Sequence, residues 1–242
     1  MPSRFVDALL AARLPVIMEV KRKDGNGVAL MGERTIPEIV AEYVAAGAPC
    51  ISVVTGRWFG GDDEMLREAA GLTDLPLLQK DFITRELQVA AAKELGASAI
   101  LLTAQLLPKS ALPKLIEITL GQGLTPFVEV IDESELGRVV HAEDCVIAVN
   151  NKDIRNQERD AGDIDVSRVM LEAVLASGTP CPVSASAITD PRVGAELISS
   201  GFKGLLIGTG LLRSGSVKHW VEEFEDHRAA LESARPVTQG PR

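Results

Sequence analysis

Residues 98–130, SAILLTAQLLPKSALPKLIEITLGQGLTPFVEV, set two short apolar runs on either side of an amphipathic segment. The runs, SAILLT (98–103) and TPFVEV (125–130), are almost continuously apolar. Strands of that kind are covered on both faces, as in a parallel sheet. Between them SALPKLIEITLGQG (110–123) carries Leu112, Leu115 and Ile116 at helical spacing. The stretch is one strand–helix–strand unit, the crossover that parallel strands require.

The unit recurs along the chain. Further strands are expected at PVIMEVK (15–21), CISVVT (50–55), LPLLQKDF (75–82), CVIAVNN (145–151), CPVSAS (181–186) and GLLIGT (204–209). Helical patterns alternate with them at 35–47, 62–71, 84–96, 132–142, 166–178, 190–201 and 216–234. Several end in glycine (Gly47, Gly71, Gly96, Gly178 and Gly201), where a left-handed cap is expected. Doubly wound sheets usually hold fewer strands. Eight βα units therefore predict an α/β protein of the (β/α)8 TIM-barrel class. Residues 1–232 read as a single barrel domain, with a short helix at 4–13 before strand one. Residues 233–242, ending in RPVTQGPR, read as a disordered tail.

Composition narrows the function. The 242 residues carry 25 Lys and Arg against 34 Asp and Glu, a net charge of −9, which argues against nucleic acid or an anionic membrane as partner. Cys50, Cys145 and Cys181 lie apart in apolar runs and read as buried, reduced core residues. His141, His219 and His227 fall in the helical segments and read as packing or surface residues. No transmembrane run, metal-ligand spacing or nucleotide motif is present, so no metal and no cofactor is expected. A cytoplasmic enzyme, monomeric or a small homo-oligomer, is expected.

In this fold the reactive groups lie at the C-terminal strand ends. The polar residues fall there: Glu19 and Lys21, Lys80 and Asp81, Glu129, Asn150 with Asn151 and Lys152, Ser184 and Ser186, and Gly208-Thr209-Gly210. Glu19 and Lys21 share a strand face with Ile17. A lysine beside a second lysine at low dielectric gives up its proton more readily, and a desolvated glutamate holds one more readily. Lys80 and Glu129 are the acid–base pair expected. The glycines of IGTGLLRSGS after strand eight bring backbone close enough to hold an anion, so a phosphorylated small molecule is the expected partner.

VIMEVKRK, SVVTGRWFGG, LPLLQKDFI, ILLTAQLL, PFVEVIDESEL, IAVNNKDI and LLIGTGLLR resemble the successive strand motifs of indole-3-glycerol phosphate synthases, in order, over residues 15–213. The resemblance implies a carboxy-lyase of tryptophan biosynthesis that decarboxylates and cyclises 1-(o-carboxyphenylamino)-1-deoxyribulose 5-phosphate. It implies that Lys80 is the general acid and Glu129 the second acid–base group. It further implies that Glu19, Lys21 and Asn150 complete the catalytic set, Glu19 and Lys21 holding substrate and Asn150 lining the same pocket, and that Lys152, Ser186, Gly208 and Thr209 bind substrate or its phosphate. Phe82, Trp58 and Phe59 are candidate walls for an aryl group.

The chain departs from the family pattern at the periphery. Asp24 stands where a phosphate-gripping serine is expected, Lys152 where an arginine is, and Gly56 where an acid is; Ala185-Ser186-Ala187 replaces Glu-Ser-Gly. An acid at position 24 is expected to repel phosphate. The chain also reads, alternatively, as a paralogue acting on a related arylamine or sugar-derived substrate, or as a catalytically weak binding barrel.

Overall fold

Near-continuous runs of Val, Ile and Leu form strands wherever both faces are covered, and here they close on themselves. The structure, a computed structural model, describes residues 3–156 and 159–234. The strands are β1 (Val16–Val20), β2 (Ile51–Val54), β3 (Leu77–Lys80), β4 (Ala99–Thr103), β5 (Thr125–Val130), β6 (Val146–Asn150), β7 (Cys181–Ala185) and β8 (Gly204–Ile207). Each pairs in parallel with the next, and β8 returns to β1 in the register Ile17 to Leu206. The expected (β/α)8 barrel is what forms.

Helix α1 (Arg4–Ala11) precedes β1. Helices α2 (Ile36–Ala45), α3 (Asp63–Leu72), α4 (Glu86–Glu94), α5 (Ala111–Gly121), α6 (Glu133–Leu136), α7 (Asp165–Ala176) and α8 (Pro191–Ser200) follow β1 to β7 in turn. After β8 come α9 (Thr209–Arg213) and α10 (Val217–Ser233). Starts are fixed by side chains: Thr35 and Glu38 form a capping box at α2, and Asp62, Asp190 and Ser216 accept N–H bonds at α3, α8 and α10.

Strand parity sorts the core into two. Ile17, Leu78, Leu101, Phe127, Ala148 and Leu206 point into the barrel, while Met18, Val53, Ile100 and Val128 face the helices. Phe5 and Leu9 of α1 join the inner set, with Phe5 edge-on to Phe127 at 6.2 Å, so α1 plugs the end opposite the mouth.

Some expectations need correction. Segment 132–142 forms only the single turn of α6, capped at Gly137, and His141 sits in a left-handed loop at φ 53° rather than in a helix. Arg138 explains the break, because its guanidinium is drawn to the carbonyls of Ala104, Leu107 and Pro108. Gly71 lies inside α3, which ends on the extended Thr73, while Gly47, Gly96, Gly178 and Gly201 do take positive φ. Helix α1 stops at Ala11, two residues short of the expected end. Residues 235–242 of the expected tail lie outside the described residues. All three cysteines are buried, and burial pushes the Cys145 and Cys181 thiols up to about 12. Among the described residues no helix is long and apolar enough to cross a membrane.

Candidate active site

Continuing the inward parity of Ile17, Leu78, Phe127 and Ala148 by one strand step brings Glu19, Lys80, Glu129 and Asn150 to the C-terminal mouth. Lys21 extends the face of Glu19 past the end of β1. All five are buried. Glu19 is the hub: Oε1 lies 3.3 Å from Lys21 Nζ, Oε2 lies 3.3 Å from Lys80 Nζ, and Ser52 donates to Oε2 at 3.4 Å. Lys21 Nζ also sits 5.2 Å above the Phe59 ring, a cation–π contact. Asn150 Nδ2 donates to Glu129 Oε2 at 3.4 Å. Burying charges is compensated only by such pairing, so these groups hold one another in place.

Two neighbours fix Glu19 itself. The Tyr43 hydroxyl donates to its carbonyl oxygen at 3.0 Å from the outer face. Burial, reinforced by Glu19, pushes that phenol well above its ordinary range. On the inner side Gly208 has no room for a side chain, because a Cβ there would fall 2.3 Å from Glu19 Oε1.

Lys21 and Lys80 line two adjoining cavities. The first, about 400 Å³ of open space, also meets Glu19, Lys152, Ser186, Gly208 and Thr209. Three lysines against one glutamate make it a cationic pocket in an acidic protein, suited to an anion. The second, about 330 Å³, is walled by Phe59, Phe82, Leu101 and Ile154, with Thr103, Asp81 and Glu129 as its polar groups. Trp58 is half-exposed on the rim, tilted against Phe82 at 4.7 Å between ring centroids.

Asn151 and Ser184 have a structural task that the sequence reading did not give them. Ser184 faces outward and its hydroxyl meets that of Ser167 on α7 at 2.7 Å. Asn151 Nδ2 donates to Ser184 Oγ, to the Ala185 carbonyl and to the Ser186 carbonyl, while its Oδ1 accepts the Ser167 N–H. This clip holds the loop after β7, where Ser186 and Ala187 are left-handed at φ 68° and 59°. An alanine there is strained by about 1 kcal/mol, whereas glycine is not. Ala187→Gly is therefore expected to raise the thermal midpoint by about 1–3 °C, read by scanning calorimetry; a lower midpoint would refute the strain.

Asp24 does not behave as the unscreened acid expected beside a phosphate. Its Oδ1 accepts the N–H groups of Asn26 and Val28, each at 2.9 Å, and Oδ2 accepts from Arg213 at 2.7 Å. Burial alone raises its carboxyl, but the Val28 and Asn26 N–H groups and Arg213 outweigh that and hold it below the usual range. It ties the loop after β1 to α9, and Arg34 adds a second tie through the Leu212 carbonyl at 2.9 Å. Arg22 orients the same loop through Gly60 O and Asp62.

Helix α9 stands after β8, where this fold often carries a short extra helix beside a phosphate; the sequence points to glycines close to an anion there but not to the helix. Ser52, Tyr43 and Thr103 were also missed. Strand parity was the available signal for Ser52 and Thr103, each two positions beyond an inward residue, Cys50 and Leu101.

The family model described as "Indole-3-glycerol phosphate synthase" matches residues 2–224. The indole-3-glycerol phosphate synthase of Staphylococcus haemolyticus (strain JCSC1435) is 33% identical over 226 residues, covering 92% of this chain and 84% of the relative. That of Carboxydothermus hydrogenoformans (strain ATCC BAA-161 / DSM 6008 / Z-2901) is 36% identical over 204 residues, covering 84% and 75%. A "Tryptophan biosynthesis protein TrpCD" of Archaeoglobus fulgidus (strain ATCC 49558 / DSM 4304 / JCM 9628 / NBRC 100126 / VC-16) is 39% identical over 178 residues, covering 71% of this chain and 32% of the relative.

Proposed function

The chain belongs to the indole-3-glycerol phosphate synthase family, and we propose that it carries out that family's decarboxylating ring closure. The substrate, 1-(o-carboxyphenylamino)-1-deoxyribulose 5-phosphate, has a phosphate at one end and an aryl carboxylate at the other. The observation that carries the reading is the pair of adjoining cavities, one cationic and one apolar, with Lys21 and Lys80 lining both. A molecule laid across them has its ketone and its aryl carbon beside Lys80.

In the proposed sequence, phosphate rests against Lys152 and the backbone of Ser186, Gly208 and Thr209. The aryl group enters the cavity of Phe59 and Phe82, with its carboxylate toward Lys21. Lys80 gives a proton to the ketone oxygen as the carboxyl-bearing ring carbon attacks the ketone carbon. A carbon–carbon bond forms, the carbon–oxygen double bond becomes a hydroxyl, and carbon dioxide leaves with ring aromaticity restored. Glu129 takes the proton from the carbon next to nitrogen, and the hydroxyl departs with a proton as water. One proton is consumed overall and the products are indole-3-glycerol phosphate, carbon dioxide and water. Glu19 keeps both lysines aimed, and Asn150 keeps Glu129 aimed. General acid–base groups of this kind contribute about 10²–10⁴-fold each.

The test is to supply that substrate to the purified chain and follow the rise of indole fluorescence. Turnover with kcat of roughly 1–10³ s⁻¹ is expected. Binding of inorganic phosphate without any turnover would reject the reading in favour of a barrel that recognises a related anion.

A further inference from the structure

Where β2 and β3 face the helices, Val53 and Leu77 are apolar, as packing on a helix requires. The next outward positions are Thr55 and Gln79, both buried and both polar. Thr55 Oγ1 lies 2.9 Å from Asp81 Oδ2, and Gln79 Nε2 lies 3.1 Å from Thr55 Oγ1. Chemistry fixes the direction of this chain. A carboxylate in its charged form only accepts, so the single hydroxyl proton goes to Asp81 and the amide supplies the second bond. Asp81 Oδ1 in turn accepts the Phe82 N–H at 2.7 Å, which folds the backbone over directly after Lys80.

Gln79 is an uneconomical residue for packing alone. Its Oε1 is buried and has no hydrogen-bond partner among the described residues, and an apolar side chain of the same shape would leave no such acceptor. Gly56 lies beside the same carboxylate, its Cβ position 3.4 Å from Asp81 Oδ1, and Gly56, Lys80, Asp81 and Phe82 line one cavity.

We propose that Thr55 and Gln79 are positioning residues for the reaction: from the outer face they hold Asp81, and through it the turn that presents Lys80 and Phe82 to the substrate. The proposal rests on the reading of the site given above. In such an arrangement stability and activity move in opposite directions, which a merely structural role does not produce.

The experiment uses the full chain with Thr55→Val and Gln79→Met combined. Its thermal midpoint is expected at or above that of the unaltered chain, with kcat down about tenfold and KM changed less than about threefold, since a small misplacement of a reacting group costs rate before binding. Thr55→Ser alone, which keeps the hydroxyl, is expected to retain kcat within about twofold. Without any substrate, amide exchange at Phe82 is expected to quicken at least about fivefold in the double variant and not in Thr55→Ser. Unaltered kcat in the double variant overturns the proposal, as does an equal loss in Thr55→Ser or a kcat loss accompanied by a lower midpoint. If the unaltered chain itself turns over no substrate, the reaction falls separately. Phe82 exchange then decides the relay alone: quickened exchange upholds it and unchanged exchange overturns it.

Discussion

Lys80→Met is expected to lower kcat by about 10³ in the indole-fluorescence assay while leaving the chain folded. The rate loss follows from the role, because a positioned general acid is worth about 10²–10⁴-fold. The stability follows from the surroundings. Glu19 keeps Lys21 at 3.3 Å and the Ser52 hydroxyl at 3.4 Å, so its carboxylate is still compensated. Methionine has similar length and fills the buried site with apolar atoms, and the Glu19 carboxylate it leaves behind is still half of a charge pair with Lys21, so no buried charge is stranded. KM is expected to change less than kcat, because the cavity proposed for the phosphate keeps Lys21, Lys152 and the backbone of Ser186, Gly208 and Thr209 when Lys80 is replaced. Lys80→Arg separates two explanations. It keeps the positive charge but cannot release a proton, so it is expected to be nearly as slow as methionine. An arginine variant within tenfold of the unaltered chain would make Lys80 an electrostatic group rather than an acid.

The parts of this site that were legible in the sequence are those governed by strand periodicity. Glu19 and Lys21 continue the face of Ile17, and Lys80, Glu129 and Asn150 continue Leu78, Phe127 and Ala148. A period of two in a barrel strand leaves one place for such side chains to go. The parts that were not legible depend on partners far away in the chain. Asp24 read as a hazard to phosphate, yet Arg213, 189 positions on, accounts for its charge. Helix α9 has five residues, too few to show a helical period, and its end is held by Arg34 from the opposite end of the chain. Segment 132–142 shows the reverse failure. Leu136, Val139 and Val140 stand at helical spacing, but Gly137 caps the turn and Arg138 is pulled to three carbonyls after β4. Tertiary hydrogen bonds there outweigh a short local preference.

The departures from the family pattern also look different once they are placed. Lys152 does line the cationic cavity, so a point charge stands there in place of the forked donor of the family pattern. Ala187 keeps the left-handed backbone that a glycine would adopt freely, and Asn151 supplies the bonds that hold it there. Gly56 brings no side chain to the apolar cavity, whose carboxylates are Asp81 and Glu129.

Removing the other member of the central pair has the opposite consequence for stability. Glu19→Leu is expected to destabilise the chain by about 3–5 kcal/mol, because deleting one partner of a buried charge cluster exposes the full desolvation penalty of those that stay. Lys21 and Lys80 would then face each other across the barrel mouth with the carboxylate between them gone, and Ser52 supplies no charge to replace it. For a chain of 242 residues that loss corresponds to a fall of roughly 10 °C in thermal midpoint. Turnover is expected to vanish as well, since neither lysine is held where the substrate meets it. The double variant Glu19→Leu/Lys80→Met makes the cause measurable. One of the two facing lysines is gone in it, so it is expected to recover about 1–3 kcal/mol relative to Glu19→Leu alone, the coupling typical of residues in direct contact. Urea unfolding of the four chains gives that coupling directly. A Glu19→Leu chain as stable as the unaltered one, or a double variant no more stable than Glu19→Leu, would mean that Glu19 does not hold the two lysines together.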